Sequence, residues 1–260
     1  MTLAAARIGS ARPTFVFLHG LFGQGRNWTS IAKALEPAGS LLLDLPNHGD
    51  SPWTASYDHD ETADLVADVL RVGGATERPV TLVGHSLGGK VAMRLALRHP
   101  ALVARLAVID ISPVSARVGD FSSYTSAMLG VDLVAMTDRR AIEAELESVA
   151  PDPRVRGFLM QSLRRRRDGR GYEWRPNLAL LGSSLDTIGG WPATTVEPFR
   201  GPTIWIAGGS SDYVRADHMG PMRELFPRVR LVTVKGAGHW VHADAPDVVV
   251  DILRHLATLT

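Results

Sequence analysis

The chain has 260 residues, a net charge of +1, 45% hydrophobic and 21% charged residues, and no cysteine. Those values exclude wholesale disorder, a global basic field for nucleic acid or anionic lipid, and any disulfide, thiolate or cysteine–zinc chemistry. No apolar run reaches the roughly eighteen residues of a membrane span, and residues 1–13 lack the apolar centre of a secretion signal, so a soluble cytoplasmic protein is expected.

In chain order, short apolar runs at 14–18, 40–44, 80–83, 106–109, 203–207 and 229–234 read as strands. They are nearly continuously apolar, as strands buried on both faces of a parallel sheet are. Helical patterns at 27–35, 60–72, 87–98 and 245–256 separate or follow them, with Pro246 suited to a first helical turn. The alternation predicts an α/β fold with a mostly parallel, doubly wound sheet. In such sheets chemistry collects at the carboxyl ends of the strands. Residues 113–200 break the pattern. Helical stretches at 138–149 and 155–167, interrupted by Pro151, Pro153, Gly169, Gly171 and Pro176, read as a helical cap inserted between core segments 1–112 and 201–260.

Gly84-His85-Ser86-Leu87-Gly88 is a G-x-S-x-G pattern standing between a strand and a helix. A sharp strand–serine–helix turn needs small flanking residues, because side chains there collide with neighbouring backbone. The plain alternative is a glycine-rich loop with Ser86 as the helix N-cap. A serine hydroxyl needs a base. His239, in Gly236-Ala-Gly-His-Trp240 after the last strand, is the candidate, against the plain reading of a buried loop histidine. His242 is expected to brace that loop, and His218 to lie on a surface helix. A carboxylate must orient the base. Asp110 ends one strand and Asp212 follows another, and position in the sequence leaves both open. Oxyanion donors are expected from the N–H of Leu87 and, in the loop 19–23, of Leu21, with Phe22 as its alternative. Phe22 and His85 are the candidate substrate-binding side chains, although an elbow at Ser86 would turn His85 away from it.

These pieces resemble an α/β-hydrolase. More narrowly, the chain resembles the YbfF-type esterase group, which is related to mitochondrial abhydrolase-domain proteins and yeast ethanol acetyltransferase. The resemblance rests on His19 to Gly23 with Asn27-Trp28, Asp44 through Asn47-His48-Gly49 to Ser51-Pro52, Gly84 to Lys90, and Asp110 to Pro113. It continues in Trp174-Arg175 with Asn177, Gly208-Gly209, Ser211, Tyr213-Val214 and Ala237 to Ala243. It implies Ser86 as nucleophile, His239 as base and Asp110 as acid, with Ser211 beside it. Asp212 departs from the group by occupying the acid position of the wider superfamily, and Pro46 stands where the group often has Arg.

The resemblance further implies small ester or acyl-CoA thioester substrates; Ser86 as nucleophile favours acyl transfer through an acyl-enzyme, and with no nicotinamide fingerprint or metal cluster visible in the sequence, no cofactor and no metal are expected. Two other functions fit the same residues. One is acyl transfer from an acyl-CoA donor to an alcohol; the other is non-catalytic binding of a small ligand on the same fold. No nucleic-acid or membrane partner is expected. The basic block Arg164 to Arg167 reads as a solvated cap face or as a docking patch for phosphates.

Overall fold

Alternation along single strands sets the layers of the protein, seen in a computed structural model that describes residues 1–116, 119–193 and 196–260. Pro113 to Arg200 was expected to be one inserted unit; Arg117, Val118, Thr194 and Thr195 within it lie outside the described residues. Phe15 and Phe17 of strand β2 (Pro13–Leu18) face one side, packed with Trp28, Ile31, Val249 and Leu253. Val16 and Leu18 face the other, packed with Val66, Leu82, Val91 and Leu95. A period of two on a sheet buried on both faces explains why the sequence showed continuous apolar runs.

The remaining strands are β1 (Ala5–Ile8), β3 (Gly39–Leu43), β4 (Val80–His85), β5 (Val103–Ile109), β6 (Leu163–Arg165), β7 (Tyr172–Trp174), β8 (Thr203–Gly208) and β9 (Val229–Val234). Among the described residues seven of them form one sheet in the order β1-β3-β2-β4-β5-β8-β9. Only β1 is antiparallel in it, paired Ala5 with Leu43 through Ile8 with Ser40. β1 is not among the apolar runs, because its side chains are exposed or half-buried and carry no apolar alternation. All six strands expected from the sequence form, with ends shifted by up to three residues.

The helices Thr29–Ala34 and Pro246–Thr258 cover one face of the sheet; His59–Val72 and Leu87–Arg98 cover the other. Asp58 caps the helix at His59 by accepting from the Asp60 and Glu61 N–H groups. The chain reverses direction across the sheet between β2 and β4. This is the switch point at which α/β sheets place their ligands.

Between β5 and β8 the chain leaves the sheet. It forms helices Gly119–Gly130, Arg139–Glu145, Pro153–Met160, Leu178–Ser183 and Leu185–Gly189. The helix expected over 155–167 stops at Met160. The rest of that stretch is β6, hairpinned against β7 with Leu163 opposite Trp174. Arg164 of β6 donates to Glu173 of β7 (2.8 Å) and to Asp50 (3.2 Å), and Arg166, just beyond β6, to Asp168 (3.1 Å). Arg165 lies over the Tyr172 ring. Met128, Ile142, Leu159 and Leu181 of this segment join the core of the second sheet face.

Candidate active site

Ser86 sits between β4 and the helix Leu87–Arg98 with φ 52° and ψ −117°. A non-glycine residue there costs on the order of 1–3 kcal/mol, and such strain persists only where the surroundings enforce it. The surroundings are tight. A Cβ on Gly84 would stand 2.2 Å from Gly88 O, and one on Gly88 2.5 Å from His19 O. The two glycines therefore let β4, the helix and the loop after β2 meet at van der Waals distance. The Ser86 N–H is held by Ile109 O (3.0 Å), and although Ser86 occupies the N-cap position of the helix, its side chain makes no capping bond.

The Ser86 hydroxyl meets His239 Nε2 at 3.0 Å. On the other side of the ring, His239 Nδ1 meets Asp110 Oδ2 at 2.8 Å. The ring therefore takes the tautomer that donates from Nδ1 to the carboxylate and accepts at Nε2. Asp110 follows β5 with φ 49°, fully buried. Its Oδ1 accepts the Gly208 N–H (2.8 Å), and its Oδ2 also accepts the Ser211 hydroxyl. Asp212 is exposed, and among the described residues it makes no hydrogen bond to His239. The structure thus brings together Ser86, His239, Asp110 and Ser211, and leaves Asp212 outside.

Tyr213 is a contact that the residue-by-residue reading did not single out. Its ring stacks on His239 at 4.1 Å and 25°. Burial, with Asp120 and Asp110 adding to it, pushes the Tyr213 phenol up to about 12. A tyrosine one residue beyond Asp212 carries no sequence signal of its own.

Leu21, Leu87 and Ser86 line one small cavity of about 20 Å³, together with Lys90, Phe121 and Gly189. The backbone N–H groups of Leu21 and Leu87 make no hydrogen bond among the described residues. Phe22 is buried against Phe121 (5.8 Å) and lines neither described cavity near the triad. His85 turns away from Ser86: its Nε2–H donates to His239 O (2.8 Å), and its ring packs on His239 and His242. A second cavity of about 660 Å³ lies on that side. It is bordered by Gly20, His85, His239, Phe158, Gln161 and Trp240 but not by Ser86.

His242 packs between Trp28 and His85, each at 4.5 Å. His218 departs from its expected surface place. It is buried, with Nδ1 at 2.7 Å from the Ser112 hydroxyl, because the turn Ala216–His218 folds back on the strand-end loop.

Five histidines are buried in neutral form. Burial lowers His19 and His59 to about 4, His48 and His242 to about 3, and His85 well below its usual range. Folded, they bind no proton at pH 5; unfolded, each titrates near ~6.5 and does. Their contribution is present above about pH 6.5 and is lost as pH falls toward 4–3. Asp60, held down by its hydrogen bond from Arg94, adds a loss at still lower pH. The expected result is a melting temperature that drops steeply from pH 7 to pH 4, with uptake of roughly five protons per unfolding event near pH 5. A melting temperature flat between pH 7 and pH 5 would contradict it.

The profile of the alpha/beta hydrolase family matches residues 15–252. The chain is 39% identical over 247 residues to the sn-1-specific diacylglycerol lipase ABHD11 of Mus musculus, covering 92% of this chain and 79% of that one. It is 31% identical over 240 residues to the esterase YbfF of Escherichia coli K12, covering 92% and 91%. A solved structure titled marine microorganism esterase superposes with a TM-score of 0.93 at 29% identity, covering 98% of this chain and 99% of that one. With the switch-point sheet and the strained serine turn already in place, these matches make the chain a member of the alpha/beta hydrolase family, on the fold shared by these esterases and lipases.

Proposed function

We propose that this protein is a serine hydrolase of carboxylic esters or thioesters with small acyl groups, working through an acyl-enzyme. One observation carries the reading: the His239 ring spans Ser86 Oγ (3.0 Å) and Asp110 Oδ2 (2.8 Å). In this reading His239 Nε2 takes the Ser86 proton as Oγ attacks the acyl carbon. The C=O electron pair moves onto oxygen, where the N–H groups of Leu21 and Leu87 receive the oxyanion. Collapse of the tetrahedral intermediate expels the alcohol or thiol, which leaves with the proton from His239. Water then repeats the sequence, and the carboxylic acid departs. Asp110 stays ionised, orienting the ring and stabilising the imidazolium, while Gly208 N–H and Ser211 hold the carboxylate in place.

We assign the acyl part to the cavity beside Leu21 and Leu87, and the leaving group to the larger cavity beside Gly20, His239 and Trp240. Residues 113–200 then act as the cap that walls both. The relatives' names support ester substrates. A yeast relative named probable alcohol acetyltransferase, 31% identical over 257 residues, supports a second reading in which an alcohol replaces water at the acyl-enzyme. The internal pairing of Arg164 and Arg166 favours a structural role for the basic block over a phosphate dock. The test is turnover of nitrophenyl acetate with and without added ethanol. Free acetate as the product in both supports hydrolysis; ethyl acetate as the main product in ethanol supports transfer. No acyl release from either ester or thioester would overturn both.

A further inference from the structure

The helix that begins at Leu87 buries a lysine among its apolar residues. Lys90 is 1% exposed. A buried ammonium is tolerable only where its donors are met. Here Nζ donates to Gly189 O, Gly190 O (2.6 Å) and Val114 O (3.3 Å), and no carboxylate pairs with it among the described residues. Burial lowers its pKa to about 7. Three carbonyl partners satisfy it, but they come from two distant stretches of chain.

Val114 lies where the chain leaves β5 for the inserted segment, and Gly189 and Gly190 lie near where it returns. The two arms are themselves bonded, Ala116 N–H to Gly189 O at 2.8 Å. The same layer grips the returning arm twice more. His59 Nε2–H donates to Thr187 O (2.9 Å), and the Arg94 guanidinium lies 5.5 Å over the Trp191 ring. Lys90 is the one of these side chains that also lines the small cavity beside Ser86. Leu21, Ser86 and Leu87 line that cavity together with Lys90, Ala116 and Gly189.

We infer that Lys90 is a specificity-determining positioning residue: its stem, and the two arms its head ties together, close the acyl cavity and restrict the substrate to short acyl chains. The inference rests on the proposed function. With the clamp released, the arms can separate and the cavity can lengthen toward the insert. Apolar pockets discriminate a methylene by about tenfold or somewhat more, so a change in length should read out clearly.

The test uses the full chain and a series of nitrophenyl esters from acetate to octanoate. Lys90→Met keeps an unbranched stem and removes all three donors; Lys90→Gln keeps a polar head as a second variant. The expected result is a kcat/KM ratio of hexanoate to acetate raised about tenfold or more in Lys90→Met. Hydrogen exchange at residues 111–116 and 187–191 should quicken at the same time. An unchanged chain-length profile in a folded variant would overturn the role even if exchange quickened, since loosening alone is what a purely structural lysine gives. Failure of both variants to fold would likewise assign Lys90 to core stability. Wild-type protein lacking Ser86-dependent hydrolysis would instead overturn the reading of the site. Ser86-dependent hydrolysis with an unmoved profile would overturn the Lys90 role alone.

Discussion

Ser86→Ala is expected to lower ester turnover by on the order of 10⁴ or more, since loss of the nucleophile removes the covalent route and leaves only binding and the oxyanion donors. The fold should survive. The Ser86 N–H bond to Ile109 O is backbone only, and alanine meets the same φ of 52° as serine does. The space that enforces the turn belongs to Gly84 and Gly88, which the substitution leaves alone. Turnover at wild-type level by a folded Ser86→Ala variant would remove the serine mechanism.

Asp110→Asn should cost up to about 10⁴ in turnover, whereas Asp212→Asn should cost little. Both carboxylate oxygens of Asp110 act only as acceptors, from Gly208 N–H, from the Ser211 hydroxyl and from His239 Nδ1–H. An asparagine has one acceptor oxygen and one NH₂ group. With the oxygen kept by Gly208, the NH₂ faces His239 Nδ1 and drives the ring to the tautomer that cannot accept from Ser86. Asp212 is exposed and apart from the ring, so its amide changes only surface charge. A crippled Asp212→Asn beside an active Asp110→Asn would exchange the two roles.

Most of the sheet was legible because parallel strands buried on both faces are written as plain apolar runs, as Leu41 to Leu43 and Val80 to Val83 show. β1 was hidden because an edge strand with exposed side chains buries nothing that a pattern could reveal. The β6–β7 hairpin was hidden because its arginines suit a helix as well as a strand. Glu173 and Asp50, the partners of Arg164, lie far apart in sequence.

At the site, Ser86 and His239 were legible from turn chemistry and strand order. Strand order alone left Asp110 and Asp212 open, since both follow strand ends, and only the resemblance favoured Asp110. The choice depends on which carboxylate the β5 terminus buries beside Gly208. Lys90 and Tyr213 stood within the matched motifs without a role of their own: each acts through contacts with a remote arm or ring, and neither contact leaves a local mark.

The central claim is that an acyl group passes through Ser86. Rapid acid quench of the enzyme turning over a nitrophenyl ester, followed by peptide mass spectrometry, tests it most directly. The account predicts an acyl mass increment on the peptide holding Gly84 to Gly88, localised to Ser86, absent in Ser86→Ala and formed far more slowly in Asp110→Asn. An increment on another residue, or persistent turnover with that peptide unmodified while a trapping fluorophosphonate labels a different site, would contradict it.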